Sequence, residues 1–259
     1  MSTLQFTIFK IPSPVLCLII VGAGAIFSIV GVLGVRYFVP HARLRAHHDV
    51  ADPILGALAV IYAVLLTFIL VNVWQAFDKS NANVELEANY LADIYSDSEA
   101  FSPEFHNQVV DLLREYRQAV VDKEWKVMEQ GKMSPEVEKL IRNIWTHYTT
   151  YLPKNLTEQS FFDESVRKLN SFRELRRQRL MDSRNGLQQL LWFILITGGL
   201  STVAFTFLFG AENLKAQIFM SVLLSVMIAL ILFAILEMDF PFTGGIRVSS
   251  EPFKVLLLD

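Results

Sequence analysis

The sequence predicts an all-α integral membrane protein with four transmembrane helices and a helical extramembrane domain between the second and the third. Composition is the first observation: 53% of the 259 residues are hydrophobic and only 19% are charged, whereas soluble domains carry about a quarter charged residues. The second observation is four apolar segments, each long enough as a helix to cross a hydrocarbon core of about 30 Å. The third is an abrupt change to charged sequence between the second and third segments.

The four predicted spans contain no charged residue. Charge-free helices of this length are rare in soluble cores and typical of transmembrane segments. The first segment also resembles a signal peptide, because Lys10 precedes its apolar run. However, that run continues well beyond the small residues that mimic a cleavage site, which favours an uncleaved anchor. The predicted spans cover residues 11–35, 53–77, 187–211 and 216–236.

These segments divide the chain into four parts. Residues 1–77 hold transmembrane helices 1 and 2 with a short basic loop between them. Residues 78–186 form a charged helical extramembrane domain, and residues 187–237 form a hairpin of transmembrane helices 3 and 4. Residues 238–259 form a short C-terminal tail.

The charged domain carries signals for the ends of several helices. Ser102 and Ser134 each precede a proline, the pattern of an N-cap followed by proline in the first turn. Pro153 ends the helix that follows Ser134. No such signal interrupts residues 54–100, so we expect the second span to continue into the charged domain as one long helix. Residues 157–209 also lack proline, with only Gly186 and the Gly198-Gly199 pair as weak points, and we expect a second long helix there.

Basic residues near the span ends predict the orientation. With four spans, both termini and the charged domain lie on one side of the membrane. That side carries Lys10, Lys79, Arg173, Arg176, Arg177, Arg179, Arg184 and Arg247, and the other side carries Arg36, Arg43, Arg45 and Lys215. The positive-inside rule therefore predicts a multi-pass protein of the cell (inner) membrane, in contact with its lipids, with the charged domain and both termini in the cytoplasm.

Histidines and carboxylates crowd the short loop between the first two spans. Together they could bind a transition metal or titrate near neutral pH. The alternative is a polar loop that holds the helix ends, and this is the interpretation we adopt, because no spacing matches a metal-binding signature. The residues are His41, His47, His48, Asp49 and Asp52.

Small residues follow one face of the second span. Gly56, Ala59, Ala63 and Thr67 lie at spacings that let helices approach closely. This pattern is typical of helix packing, but the central helices of an oligomeric pore would use it too. Asn72 is strongly polar for its depth in the span and either lines a water path or hydrogen-bonds a neighbouring helix. These five residues are our candidates for lining a pore.

Two acidic residues, Glu237 and Asp239, follow the end of the fourth span. Carboxylates at a membrane boundary could attract cations to a pore mouth. Alternatively, they cap the span and face water. We treat both as pore-mouth candidates.

Arginines are concentrated ahead of the third span. Arg173, Arg176, Arg177 and Arg179 lie within seven residues of one another. We expect a solvated face or salt bridges to the acidic region around Glu87, and anionic lipid is the alternative partner.

The composition and motifs exclude several functions. A net charge of −3 gives no basic signature for nucleic acid. Cys17 is the only cysteine, which excludes an internal disulfide framework and a cysteine-based zinc site. No catalytic serine-histidine-aspartate order, phosphate loop or paired-cysteine motif is present. We therefore predict a protein that is not an enzyme and that has no cofactor and no bound metal.

Several short motifs, in order along the chain, are similar to those of the bacterial bestrophin-like membrane family. They are Val73-Trp74, Glu85-Leu86-Glu87-Ala88, Glu124-Trp125, Arg176-Arg177-Gln178-Arg179-Leu180 and Asp239-Phe240-Pro241-Phe242-Thr243-Gly244. The resemblance implies four spans with a helical domain between the second and third. By kinship with bestrophins, it also implies a homo-oligomeric channel whose second span lines the pore. Bestrophin pores carry apolar rings and an acidic calcium clasp, and neither can be placed here residue by residue. Val60, Val64 and Phe68 could form such rings, but so could any lipid-facing stripe.

Two functions remain open from the sequence. The first is an oligomeric channel for inorganic ions, in which several copies gather their second spans around an axis. The second is a non-conducting membrane scaffold or sensor that acts through its helical domain. A channel requires a closed ring of subunits, whereas a scaffold requires none.

Overall fold

The computed structural model describes residues 11–39, 48–209, 211 and 213–256, and for residues 48–50 the backbone alone. These residues contain helices and loops but no β-strand, which confirms the all-α prediction. They divide into two compact units. The apolar unit comprises residues up to Gln75 together with 187–239, and the charged unit comprises residues 76–186 together with the C-terminal segment from Phe240.

Four helices are long and apolar enough to cross a membrane, which confirms the four predicted spans. They are α1 (Ser13–Phe38), α2 (His48–Ser98), α7 (Gln189–Thr206) and α8 (Leu214–Met238). The predicted continuation of the second span is also confirmed, because α2 is one helix of 51 residues.

The shorter elements belong to the charged unit. They are α3 (Pro103–Ala119), a π-helical segment (Val120–Glu124), α4 (Trp125–Met128), α5 (Pro135–Thr150), α6 (Leu156–Asp182) and α9 (Glu251–Lys254). Ser102 and Ser134 cap α3 and α5 as predicted, each accepting a backbone N–H three residues further on. Asn155 does the same for α6.

The predicted long helix over residues 157–209 is wrong. Helix α6 ends at Asp182, and α7 begins only at Gln189. Within the apolar unit, the backbone N–H of Leu187 donates to a carboxylate oxygen of Asp239 over 2.6 Å instead of joining a helical ladder. A carboxylate far along the chain thus fixes the start of the third span, which is 18 residues long rather than the predicted 25.

Helices α1 and α8 pack closely in the apolar unit, and small polar residues line their contact. The Ser28 hydroxyl donates to the Ser221 carbonyl over 3.2 Å, and both residues are buried. Gly24 lies against Ser225, where an added Cβ would come within 2.8 Å of the hydroxyl. Close helix approach with serine hydrogen bonds is a common way to join helices within lipid.

The core of the charged unit is built from α2, α3, α5 and α6 together with the C-terminal segment. Phe242, Val248 and Phe253 of that segment are buried in the core, although sequence analysis treated the segment as a tail. Trp125 is in contact with both phenylalanines, at ring-centroid distances of 5.9 Å. The C-terminal segment is therefore part of the charged unit.

Candidate functional site

A single buried stripe runs along α2. Its members recur at spacings of three and four residues, the period of an α-helix, apart from one step of seven residues between Val73 and Ser80. In the apolar unit they are Tyr62, Leu66, Ile69 and Val73, and in the charged unit they are Ser80, Val84, Glu87, Leu91, Ile94 and Ser98. Because one side of α2 is packed throughout, the opposite side is exposed in the isolated chain.

The exposed side of the second span carries aliphatic and aromatic residues at four-residue intervals. Val60, Val64 and Phe68 are 64%, 49% and 66% exposed. At about 100° per residue, these three positions lie across from the stripe of Tyr62 and Leu66. They form the apolar face of α2.

The five pore-lining candidates do not share one face of α2. Thr67 lies beside the apolar face, whereas Gly56, Ala59 and Ala63 lie on one flank of it. Asn72 is 16 residues after Gly56, which places it about 160° away, on the other flank. One helix cannot direct both flanks at the same axis. Any pore along α2 therefore draws on a subset of these candidates.

Two polar side chains on α2 bond to their own helix. The Thr67 hydroxyl donates to the Ala63 carbonyl, and the Asn72 amide nitrogen donates to the Phe68 carbonyl, both over 2.8 Å. Bonds of this kind satisfy a polar group within lipid without a second helix. Exposure of these residues is therefore compatible with an apolar surrounding.

Both pore-mouth candidates are buried in the apolar unit. Glu237 accepts a hydrogen bond from the Ser13 hydroxyl over 2.8 Å. Asp239 accepts the Leu187 N–H and, over 3.1 Å, the Trp192 indole N–H. Burial raises the pKa of the Asp239 carboxyl, although these two hydrogen bonds oppose the shift. Asp239 is the C-cap of α8, but neither carboxylate faces solvent in the isolated chain.

Most of the histidine loop lies outside the described residues, including His41 and His47. His48 and Asp49 form the start of α2, and Asp52 is exposed one turn further on. Across the described ranges, no group of three or more histidine, cysteine or acidic side chains is placed to hold a metal ion.

The charged unit contains a buried chain of ion pairs. Arg179 donates to both carboxylate oxygens of Glu87, over 2.7 and 2.9 Å, and also to Glu124 over 3.0 Å. All three side chains are fully buried. The predicted salt bridge between the arginine stretch and the region of Glu87 is therefore confirmed for Arg179.

Arg176, one helical turn before Arg179, extends this series of ion pairs. It binds both oxygens of Glu124, over 3.2 and 2.7 Å, and reaches Glu138 over 2.6 Å. The Tyr116 hydroxyl donates to Glu87 over 2.9 Å. Arginine, with five donors in a planar fork, suits such a shared arrangement better than lysine does. We call Glu87, Arg179, Glu124, Arg176, Glu138 and Tyr116 the buried charge network.

The π-helical segment places Glu124 in this network. A π turn inserts one extra residue into a helix, and such insertions are frequent at functional sites. Burial alone would raise the pKa of the Glu124 carboxyl, but Arg179 and Arg176 outweigh it and lower the pKa. Glu124 is therefore held as a carboxylate between two cations.

Comparison with known proteins decides the family. The bestrophin-like domain matches residues 22–253. The chain belongs to the bestrophin-like family. A bacterial bestrophin homologue from Klebsiella pneumoniae, solved with single mutations, shares the fold at 11% identity. One such structure gives a TM-score of 0.67 over 91% of this chain and 94% of that chain, and another gives 0.66 over 92% and 96%.

A third solved structure, described only as a membrane protein, gives a TM-score of 0.67 at 10% identity. It covers 92% of this chain and 94% of that chain. No curated protein sequence matches this chain. At identities this low, the structural likeness establishes the fold alone. The bestrophin-like chain is thus a membrane protein with the bestrophin fold.

Four of the five motifs that carried the family resemblance meet at or beside the buried charge network. Glu87, Glu124, Arg176 and Arg179 come from three separate motifs, and Phe242 from a fourth lies against Trp125. Sequence reasoning anticipated one pair and missed the network. No local signal identifies Glu124, because a carboxylate is buried only where cations pair with it, and these cations are 52 and 55 residues further along the chain.

Proposed function

We propose that this bestrophin-like chain is a subunit of a homo-oligomeric ion channel whose second span, within α2, lines the pore. The observation that best supports this proposal is the apolar face of α2. It lies opposite the buried stripe and is not covered by any other described residue of the isolated chain. Several copies can gather these faces around an axis. Membership of the bestrophin-like family supports the same arrangement.

Both α1 and α2 expose large aliphatic residues, among them Leu18 and Ile26 on α1 and Val60 and Ile61 on α2. Both also carry small residues on their open sides. In this proposal, the small residues Gly56 and Ala63 of α2 let neighbouring copies of that helix approach closely.

In this proposal the apolar face points to the axis. Val60, Val64 and Phe68 form successive apolar rings, and Thr67 contributes a hydroxyl beside the narrowest part. Apolar constrictions gate channels by excluding water. Gly56, Ala59 and Ala63 lie between neighbouring subunits, and Asn72 lies on the opposite flank. Glu237 and Asp239 act as structural carboxylates near the pore mouth.

We further propose that the charged unit and both termini face the cytoplasm of a cell whose inner membrane holds the protein. The support is the excess of lysine and arginine at the span ends on that side. Membrane lipids and further copies of the chain are then its partners, and inorganic ions are its cargo.

The single cysteine makes the test direct. Cys17→Ser gives a cysteine-free background, into which Val64→Cys or Phe68→Cys is introduced. The purified variants are reconstituted in planar bilayers and treated with a charged thiol reagent. We expect the variants to give single-channel current. We expect this current to fall when the reagent modifies the cysteine at either position. Val30→Cys, on the exposed side of α1, is the matched control and leaves the current unchanged.

Two outcomes would contradict the proposal. Modification at Val30→Cys that blocks current as strongly as at Val64→Cys would mean that α2 does not line the path. Absence of current, together with a monomer or dimer in native mass spectrometry, would instead support the non-conducting scaffold or sensor. A closed ring of four or more copies is what the channel requires.

A further inference from the structure

A polar cavity of about 490 Å³ lies in the charged unit, outside the features used so far. One wall is the helical stretch that begins in the π-helical segment, and the other is the C-terminal segment from Arg247 to Lys254. Small-molecule sites in proteins commonly occupy about 300–1,000 Å³. The cavity is therefore large enough for a ligand of several functional groups.

Three cationic side chains line this cavity: Lys126, Arg247 and Lys254. Lys126 forms no ion pair within the described part of the chain. Arg247 forms an exposed ion pair with Glu129 over 2.5 Å through one nitrogen, which leaves most of its donors available. Lys254 lies 3.5 Å from Glu251, another exposed pair of small energetic value.

Hydroxyl groups add neutral donors between these cations. Ser249 and Ser250 both line the cavity. The Ser249 oxygen accepts the backbone N–H of Glu251, so its hydroxyl hydrogen is not used in that bond. Two carboxylates also line the cavity, and each already has a donor: Asp122 accepts from Gln118, and Glu129 accepts from Arg247.

The walls of the cavity are fixed by contacts beneath it. The Trp125 indole N–H donates to the Val248 carbonyl over 3.3 Å, and Arg117 donates to the Leu256 carbonyl over 2.5 Å. The Trp125 ring also lies 4.9 Å from the guanidinium of Arg179 in the buried charge network. A site whose supporting groups are already ordered loses less entropy when a ligand binds.

We propose that this cavity binds a small phosphate-bearing anion of at least diphosphate size. Arginine binds phosphate oxygens in a bidentate manner, and lysine binds them as a point charge. Two carboxylates, Asp122 and Glu129, reduce the net charge of the lining to +1. The match to a diphosphate therefore rests on cations that stand on both walls, Lys126 on one and Arg247 and Lys254 on the other, where they can reach separate phosphate groups. Two serine hydroxyls can donate to the remaining oxygens. The proposal does not depend on whether the protein conducts ions.

Isothermal titration calorimetry on the purified full chain in detergent tests this proposal, with inorganic pyrophosphate as the probe. We expect saturable binding that weakens in Lys126→Gln and in Arg247→Gln by roughly tenfold to a hundredfold each, because each change removes a charged hydrogen-bond donor. Lys123→Gln is the matched control. Lys123 lies in the π-helical segment, one turn before Lys126, but it pairs with Glu136 and neither residue lines the cavity, so binding is retained.

A second titration with adenosine diphosphate identifies the source of the diphosphate group. If adenosine diphosphate binds more tightly than pyrophosphate, the ligand is a nucleotide. If the two bind equally, the diphosphate group alone is recognised. The proposal is overturned if neither compound binds at millimolar concentration. It is also overturned if Lys123→Gln weakens binding as much as Arg247→Gln, or if citrate binds as tightly as pyrophosphate. A thermal melt of each variant confirms that the charged unit is folded.

Discussion

Arg179 and Glu87 form a bidentate ion pair between α6 and α2, with distances of 2.7 and 2.9 Å and no solvent exposure on either side chain. Removing two charges from water costs several kcal/mol per ion, and only close geometry with further hydrogen bonds compensates for it. Here Tyr116 and Glu124 supply those bonds. The pair consequently fixes the register of α6 against α2 more than it adds net stability.

This geometry predicts a large difference between two arginines on the same helix. Arg179→Ala leaves Glu87 buried without its partner and should cost about 3–5 kcal/mol of unfolding free energy. Among the described residues Arg177 pairs only with Glu174, and both side chains are more than half exposed, so Arg177→Ala should cost about 0.5 kcal/mol or less. Thermal melts in detergent measure both. Equal losses for the two variants would contradict a structural role for the network.

The spans, the caps and the length of α2 could be predicted from the sequence because each depends on local patterns. Apolar length defines a span, and Ser102 caps a helix through bonds to its own near neighbours. Gly186 marks a weak point before α7, but the break itself could not be predicted, because the Asp239 carboxylate that accepts the Leu187 N–H is 52 residues away. Glu124 was missed for a similar reason, since a π turn depends on the tertiary bonds that it makes possible.

The candidate pore residues show the same limit. Spacing places Gly56, Ala63 and Thr67 on one side of α2 and Asn72 on the other, but it does not say which side of the helix is packed. The buried stripe of Tyr62 and Leu66 supplies that information and separates one flank of α2 from the other. Sequence therefore identifies the lining helix that we propose, and packing identifies its face.

Two glycines three residues apart on α1 should respond differently to alanine. A Cβ at Gly31 would overlap the ring of Phe207, whereas a Cβ at Gly34 meets nothing within 4 Å. Gly31→Ala should therefore cost about 1–3 kcal/mol, the typical result of overpacking. Gly34→Ala should be neutral or slightly stabilising, because alanine is the better helix former. Melting temperatures in detergent test this prediction. It fails if Gly31→Ala has the same melting temperature as the wild type.

Asp239 should act mainly as a structural carboxylate. Asp239→Ala leaves the Leu187 N–H and the Trp192 indole N–H without their acceptor. An unsatisfied buried donor costs about 1–3 kcal/mol, so the apolar unit should melt at a lower temperature. Asp239→Asn keeps one acceptor oxygen and should lose less. Glu251→Gln, at an exposed carboxylate, is the control and should melt with the wild type. An unchanged melt for Asp239→Ala would instead leave the pore mouth as its main role.

His147 should make the charged unit less stable in mild acid. Its ring stacks on Phe105 with centroids 4.5 Å apart, and its buried Nε2 has no hydrogen-bond partner among the described residues. Burial lowers the pKa of His147, although a hydrogen bond to the Phe105 backbone opposes the shift. An unfolded histidine takes up a proton near pH 6.5. The unfolded chain therefore binds more protons than the folded one in this range, and stability is lost as pH falls through the unfolded pKa towards the lower folded one.

The measurement is a series of thermal melts between pH 7.5 and pH 5. The midpoint for the wild type should fall by a few degrees below about pH 6.5. His147→Gln has no titrating ring and should lose much of this dependence, whereas His106→Gln should keep it. Glu104 lines the same surface pocket as His147, so Glu104→Gln tests whether its carboxylate contributes. If His147→Gln shows the same decline as the wild type, another group is responsible, because a glutamine amide cannot gain or lose a proton in this range.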